Sequence, residues 1–543
     1  MSVDGAYSEN DDMKRFNTTG TCFPEDHYMV DLTERIREIR KMVDQEDYFC
    51  INRGRQFGKT TTLNTLKDAL QDDYTVFSIS FERIEDKAFE DTETLSKSFI
   101  HLLFLAIKFK LVKQVSSDFK SLLTSYEQES GENISLNILS ERISELCMAN
   151  EKPIVIIIDE VDQASSHISF LKFLSMLRDM YLNRKILPTF HSVILAGVYD
   201  IKNLKLKIRS DSEHQYNSPW NIAAKFDVVM ELTENGIVGM LQDYENDHHT
   251  GMDITAMAKR LSDYTGGYPF LVSRLCQIMD EELPRQPEFK SLSDCWTAEG
   301  FLAAVKALLI EGNTLFDDMI KKIDEFPELR KLLHDILCTG RKAPFQRDDK
   351  AQSLALMFNF IKNDNGKVAV FNRIFETRLY NLFIYEDSQH EQDLYDAGSL
   401  EKSAYIRNGR LDMDTVMERF VVHYTDLFGH RHKAFAEADA RQCFLIFLMP
   451  VINGTGHYYV EAQTRDERRM DVVVNYAGEQ FIIELKIWRG QVYNDRGVDQ
   501  LCDYLDSMHE TKGYLLTFNF NEKKQPSIHT NQYGNKTIVE AMV

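Results

Sequence analysis

The sequence predicts an α/β multidomain fold with two α/β units and helical regions between them, and three observations carry that prediction. Short β-branched strands alternate with helices between about residues 48 and 197, and again beyond 411. A glycine-containing turn, Arg53 to Thr60, stands directly between a strand and a helix. A late hairpin sets Asp471, Glu484 and Lys486 into otherwise apolar strands. Short apolar strands separated by helices form parallel sheets covered on both faces.

Length and composition narrow the class. A chain of 543 residues holds roughly three or four domains. With 43% hydrophobic and 11% aromatic residues it buries several cores and is neither disordered nor collagen-like. Its net charge of −22 argues against a role in coating polyanions, so any nucleic-acid binding needs a local basic surface. The eight cysteines are scattered without a CxxC pair, which suits buried thiols in a reducing, cytoplasmic setting. No apolar run reaches the roughly 18–20 residues needed to cross a bilayer. The N-terminus lacks the basic-then-apolar pattern of a secretory signal.

Along the chain, residues 1–15 read as a mobile acidic tail. The first α/β unit spans 16–235. Its opening helix is capped at Asp31, with Glu34 at the capping-box position and Ile36, Ile39 and Val43 at helical spacing. Strands follow at 48–52, 74–81, 153–158 and 191–197, with helices at 59–70 and 169–184. Residues 236–312 are helical, broken at Gly266, Gly267 and Pro269, as expected of a lid. Residues 313–385 hold helices and a strand pair turning at Asn365-Gly366, a winged-helix-like pattern in which Arg373 and Arg378 are candidate DNA contacts, although a packing role is the stronger expectation. The charged stretch 386–410 reads as a linker, and 411–543 as the second α/β unit.

The turn Arg53-Gly54-Arg55-Gln56-Phe57-Gly58-Lys59-Thr60, followed by Thr61, is the first chemical signature. Strand–loop–helix context lets backbone N–H groups and a helix N-terminus cradle phosphate, with Lys59 on the terminal phosphates and the Thr60 hydroxyl on Mg²⁺. The usual first glycine of this loop is replaced by Arg53, and Gly54 stands one place late. Val155 to Ile158 then lead into Asp159 and Glu160. A carboxylate at the C-terminal edge of a parallel strand suits a Mg²⁺ bridging nucleotide phosphates, and a second one suits polarising a water. Asp159 is therefore assigned to the metal and Glu160 to the water. Asp200 is a candidate γ-phosphate sensor, and Arg209 and Arg274 are candidate transition-state arginines.

The second signature is C-terminal. Asp471 opens one strand, while Glu484 and Lys486, two apart on the next, share a face. Two hard oxygen ligands converging with a lysine can hold Mg²⁺ and direct its water at a phosphodiester. Glu437, on a helix expected at 433–448, is a further candidate metal ligand. Gln500 and Tyr504, four apart on a later helix, are candidates to brace the lysine or the scissile phosphate. Arg465, Arg468, Arg469, Arg489 and Arg496 supply local positive charge.

These residues carry a resemblance. The last 115 or so residues, through Phe435-x-Glu437, Arg469-Met-Asp471, Ile483-Glu-Leu-Lys486, Gln500-x-x-x-Tyr504 and Gly513-Tyr-Leu-Leu516, resemble the PD-(D/E)XK nuclease domain. The version fused to prokaryotic AAA-like ATPases is similar in its N-terminal part too, at residues 27–32, 53–63, 156–162, 218–228 and 264–275. The resemblance implies a P-loop ATPase with a parallel sheet, helical lid and winged-helix-like region, plus a C-terminal restriction-endonuclease-like α/β domain. It implies ATP and Mg²⁺ as cofactors and DNA as partner, with self-association into a homo-oligomer left open. The alternative is an ATP-driven switch whose nuclease-like domain binds without cleaving.

Overall fold

The computed structural model describes residues 13–113, 115–129, 134–165, 167–198, 220–338, 343–388, 392–400, 402–428, 437–452, 456–463, 469–477, 479–488, 490–508, 510–521 and 525–543. The chain divides into two units. One comprises residues up to Ala304 together with Ser353–Phe360, the other Val305–Gln352 and Ile361–Val543. Among the described residues no helix is long and apolar enough to cross a membrane.

In the first unit, α1 (Thr33–Asp44) has Leu32 and not Asp31 at its N-cap; Asp31 stands one residue earlier, its carboxylate accepting the Thr33 N–H at 2.9 Å, and Glu34 pairs with Arg37 instead of closing a capping box. Then come β1 (Phe49–Asn52), α2 (Lys59–Leu70), β2 (Thr75–Ser80), α3 (Thr92–Lys108), α4 (Ser117–Gln128), α5 (Leu136–Ala149), β3 (Ile154–Asp159), α6 (Ile168–Leu182) and β4 (Ser192–Gly197). The four strands form a parallel sheet in the order β1-β4-β3-β2, and Ala224 adds a one-residue parallel bridge outside β1 at Phe49. This is a parallel α/β fold in which β1 leads through a tight loop into α2. Every residue of β3 and β4 is buried, as a sheet covered on both faces requires. Phe77, Phe81, Phe99, Phe170 and Phe173 fill one side of it.

The N-terminal stretch is tied down from residue 13 onward. Lys14 pairs with Asp243 at 2.7 Å, and Phe16 packs among Tyr28, Tyr244 and Trp296. Residues 1–12 of the expected tail lie outside the described residues.

The segment expected to be a lid contains α7 (Glu234–His248), α8 (Ile254–Thr265) and α9 (Pro269–Gln277), followed by α10 (Leu292–Cys295) and α11 (Ala298–Ile310). Gly266 ends α8 in the left-handed conformation, its N–H returning to Ser262 O at 2.8 Å. Pro269 starts α9 at a first-turn position where a missing N–H costs nothing. Between them Gly267 has φ +72°, and a Cβ there would lie 2.3 Å from Leu232 O.

The second unit begins with α12 (Thr314–Glu325) and α13 (Pro327–Leu337). After α14 (Lys350–Met357) a hairpin of β5 (Ile361–Asp364) and β6 (Lys367–Val370) turns at Asn365 and Gly366, both at positive φ. Helix α15 (Arg373–Ser388) follows. Arg378 on it does not present a free cationic head. Its guanidinium donates to Leu309 O and lies 5.0 Å from the Phe316 ring centre, and burial lowers its pKa. That is the packing role. The expected linker is largely helical, with the end of α15, then α16 (Gln392–Leu400) and α17 (Lys402–Tyr405), before the short pair β7 (Ile406–Arg407) and β8 (Arg410–Leu411).

Helices α18 (Met413–Phe428) and α19 (Glu437–Ile452) precede a sheet of β9 (Gly456–Gln463), β10 (Arg469–Tyr476) and β11 (Glu479–Ile487). Helix α20 (Gln491–Met508) leads to β12 (Lys512–Phe518), β13 (Ser527–Tyr533) and β14 (Lys536–Met542). The strand order is β13-β14-β12-β11-β10-β9, with β11, β12 and β14 mutually parallel. Phe420 on α18 meets Phe444 and Phe447 on α19 and Phe518 on β12, covering one face. Leu501 and Leu505 on α20 close onto Gly513 from the other face. The hairpin β13–β14 has no counterpart among the sequence expectations. Its first strand is polar and exposed, so it lacks the alternation that marks a strand.

Two glycines of the lid give opposite expectations. Gly267→Ala should lower stability by about 1–3 kcal/mol, because a left-handed residue would gain a clashing Cβ. Gly239→Ala, in α7 with open space around it, should raise stability by about 0.5–1 kcal/mol. Urea denaturation of the full chain checks both signs.

Candidate functional site

The phosphate loop is built by β1 ending at Asn52 and α2 starting at Lys59. Gln56 and Gly58 take positive φ values of 54° and 76°, which reverse the chain tightly enough to aim the first N–H groups of α2 into the loop. Lys59 is 7% exposed, and its ammonium donates to the carbonyls of Arg53 and Gly54, each at 3.0 Å. Burial pulls its pKa below the usual lysine value, opposed by the nearby carboxylates of Asp162, Glu160 and Asp159. A buried ammonium so placed gains from an incoming phosphate.

Asp159 comes from the last position of β3, and its Oδ2 accepts the Thr60 hydroxyl at 3.0 Å. A hydroxyl and a carboxylate meeting at a helix N-terminus form a hard oxygen pair suited to Mg²⁺, so the residues present fit that ion. Glu160 follows with φ +54°, a left-handed conformation for a non-glycine residue, of the kind that collects at functional sites. Its pKa is raised by burial first and by Asp159 second.

Arg53, the departure from the usual glycine, does not cross the phosphate loop. Its side chain turns the other way, over the Phe226 ring at 5.7 Å, and donates to Val228 O at 3.3 Å. Arg35 from α1 joins it, donating to the carbonyls of Val229, Met230 and Glu231 at 3.1, 2.8 and 3.2 Å. Two buried guanidinium groups thus grip consecutive carbonyls of the segment that leads into the lid.

The lid turn closes over the loop. Tyr268 donates its hydroxyl to Arg55 O, its ring meets Phe57 edge-on at 4.7 Å, and Pro269 lies against Gly58. Arg274 is engaged within the lid, with Gln277 at 2.9 Å and Glu282 at 2.6 Å. Asp200 and Arg209 lie outside the described residues.

Sequence reasoning missed four residues here. Asp162, two beyond Glu160, accepts Val198 N–H at 2.6 Å and so pins the end of β4 to the end of β3; its spacing after Asp159 was a usable signal. Tyr268 and Asn359 reach the loop from other segments, and Arg35 holds the carbonyls next to the one that Arg53 holds. Asn359 accepts Gly54 N–H at 2.8 Å from 305 residues away, with no local signature.

A cavity of about 460 Å³ lies between α1, α2 and the N-terminal segment, lined in part by Met29, Val30, Leu32, Ile36, Thr65 and Ala69. Thr65 and Ala69 stand on the same helix as Lys59.

Residues 32–289 match the family model of the AAA-like domain. Solved structures similar to the chain include a Walker-type ATPase of Pyrococcus abyssi, at 16% identity and TM-score 0.42, covering 67% of this chain and 99% of that one. The ORC2 protein of Aeropyrum pernix in ADPNP–ADP complexes matches at 12% identity and TM-score 0.38, over 66% of this chain and 93% of that one. The Aeropyrum pernix ORC1 protein in complex with DNA matches at 12% and 0.27, over 66% and 94%. No curated protein matches the chain.

In the second unit Glu484 is 1% exposed, and Lys486 Nζ stands 2.7 Å from its Oε1. Pairing of Val472 with Ile483 and Val473 with Ile482 sets the register of β10 on β11. Continued by one residue, that register brings position 471 opposite Glu484. The side chains of Asp471 and Glu437 lie outside the described ones; Glu437 is the first residue of α19. Helix α20 runs over the sheet face that carries Lys486, and a Cβ at Gly497 would lie 3.3 Å from Lys486 Cγ. Gln500 and Tyr504, three and seven residues on, share that helix stripe, and the Gln500 amide donates to the Tyr504 hydroxyl. Of the flanking arginines, Arg496 is exposed, while Arg465, Arg468 and Arg489 lie outside the described residues. Among the described residues no cluster of three or more His, Cys, Asp or Glu is formed.

Removing the Asp162 carboxylate isolates one structural role. Asp162→Ala leaves Val198 N–H without its charged acceptor and should cost about 1.5–3 kcal/mol, read as a lower urea midpoint.

Proposed function

We propose that this protein binds and hydrolyses Mg²⁺-ATP at the phosphate loop, and that the nucleotide cycle controls a Mg²⁺-dependent phosphodiesterase centre in the C-terminal α/β unit, with DNA as substrate. The observation that carries the first half is the contact of Thr60 Oγ1 with Asp159 Oδ2 beside the buried Lys59 ammonium. In this reading Lys59 and the N–H groups at the start of α2 hold the β- and γ-phosphates. Thr60 and Asp159 hold the Mg²⁺, which when bound neutralises charge on the phosphate oxygens. Glu160 orients and polarises the water. The cavity beside α2 would take the base and ribose.

For the second half the supporting observation is the buried Glu484 with Lys486 at 2.7 Å, with position 471 opposite Glu484 in the continued strand register. A glutamate and a lysine buried inside an apolar strand are costly without partners, and each meets the other's charge. Glu484 with Asp471, joined by Glu437, would bind Mg²⁺, and Lys486 would stabilise charge on the phosphate or orient the attacking water. Gln500 and Tyr504 would brace the lysine or the scissile phosphate.

Glu160→Gln should retain ATP binding and lower hydrolysis by about 10²–10⁴-fold. The water-polarising form of Glu160 is the carboxylate, and its pKa is raised above the ordinary 4.5. Hydrolysis should therefore fall off on acidification at a pH above 4.5, and a steady-state pH profile of phosphate release checks this. Cleavage of a supercoiled plasmid with Mg²⁺ tests the other centre. Glu484→Ala should abolish nicking, and nicking indifferent to that change would leave the ATP-driven switch as the better description.

A further inference from the structure

Gly54 occupies the place one residue after the glycine that such loops usually carry, and its surroundings show what that glycine serves. A Cβ at Gly54 would lie 3.1 Å from Phe358 O, 3.4 Å from Asn359 Oδ1 and 3.4 Å from the Tyr268 hydroxyl. Residues 353–360 belong to the first unit although the chain on either side of them belongs to the second. The glycine makes room for this visiting segment.

The contact made there leads to the nucleotide site in two steps. The peptide group joining Arg53 to Gly54 has two polar ends. Its carbonyl oxygen accepts Lys59 Nζ at 3.0 Å, and its N–H donates to Asn359 Oδ1 at 2.8 Å. The amide of Asn359 and the ammonium of Lys59 thus hold one rigid peptide plane from opposite ends. Hydrogen bonds in such a chain polarise one another, so each strengthens the other. We propose that Asn359 is a positioning residue of the ATP site, fixing the peptide that holds Lys59 in place for the terminal phosphates. This rests on the reading of the loop as an ATP site.

A plain structural reason for asparagine also exists at this position. Asn359 has φ +57° just beyond α14, with its N–H on Leu356 O at 3.0 Å and Phe360 N–H on Ala355 O at 2.8 Å, a helix end that favours glycine or asparagine. Helix capping accounts for the backbone conformation but not for the side-chain oxygen on Gly54. Two substitutions separate these roles. Asn359→Gly keeps the left-handed conformation and removes the acceptor, whereas Asn359→Asp keeps an acceptor oxygen at the same place.

The experiment is steady-state ATP hydrolysis by the full chain, with fluorescent-nucleotide binding and melting temperature measured on the same preparations. Asn359→Gly should lower kcat/KM about fivefold or more, the scale of one hydrogen bond, while remaining folded at the assay temperature, and Asn359→Asp should recover most of the loss. Wild-type turnover in Asn359→Gly, faster turnover, or equal impairment of the two variants would overturn the inference. Lys59→Ala is the companion variant. If it binds nucleotide like the wild type, the reading of the ATP site itself fails. If it loses binding while Asn359→Gly is unaffected, only the role of Asn359 falls.

Discussion

The burial of one ammonium group governs the N-terminal half of this protein. Lys59 is almost wholly removed from water, and desolvation pulls its pKa below the usual lysine value. Three carboxylates at the sheet edge oppose that shift, and two loop carbonyls accept the ammonium's hydrogen bonds. The surrounding architecture serves that arrangement. The parallel sheet delivers Asp159 at the end of β3 and Asp162 just beyond it, Arg53 and Gly54 turn their carbonyls to the ammonium, and α2 contributes the lysine at its first turn.

Arg53 shows how a motif departure can be absorbed. Glycine at that place in a phosphate loop permits close approach of backbone to phosphate. An arginine is tolerated because its side chain leaves the loop towards Phe226 and Val228, where it joins Arg35 on the carbonyls leading to the lid. The phosphate-facing backbone stays open, and the loop acquires a mechanical link to the lid hinge. Tyr268 and Pro269 close the same loop from the other end of the lid turn. The loop is therefore joined at two places to the segment that follows residue 227.

Much of this was legible in the sequence because it is local. The strand-loop-helix around Lys59, the β-branched run into Asp159, the Gly-Gly-x-Pro lid turn and the Asn365-Gly366 hairpin each declare themselves within a dozen residues, and each is present. The parity of Glu484 and Lys486 on β11 is likewise a local property, and the register with β10 follows from a short turn. What the sequence hid is non-local or lacks contrast. Asn359 reaches Gly54 across 305 residues, and nothing near it announces the contact. The charged composition of 386–410 suggested a connector, yet the buried Leu394, Ala397 and Tyr405 suffice for helices within the second unit. Arg378 could be read as a DNA contact or a packing group, and its tertiary neighbours make it the half-buried packing group that was the stronger expectation.

The central claim is that Thr60, Asp159 and Lys59 form one site for a metal-bound nucleotide triphosphate. Calorimetric titration of ATP into the full chain, with Mg²⁺ and then with EDTA, tests it most directly. The account predicts saturable one-site binding that weakens at least tenfold without the metal and in Asp159→Asn. Binding of equal strength in all three conditions, or no binding at all, would contradict it.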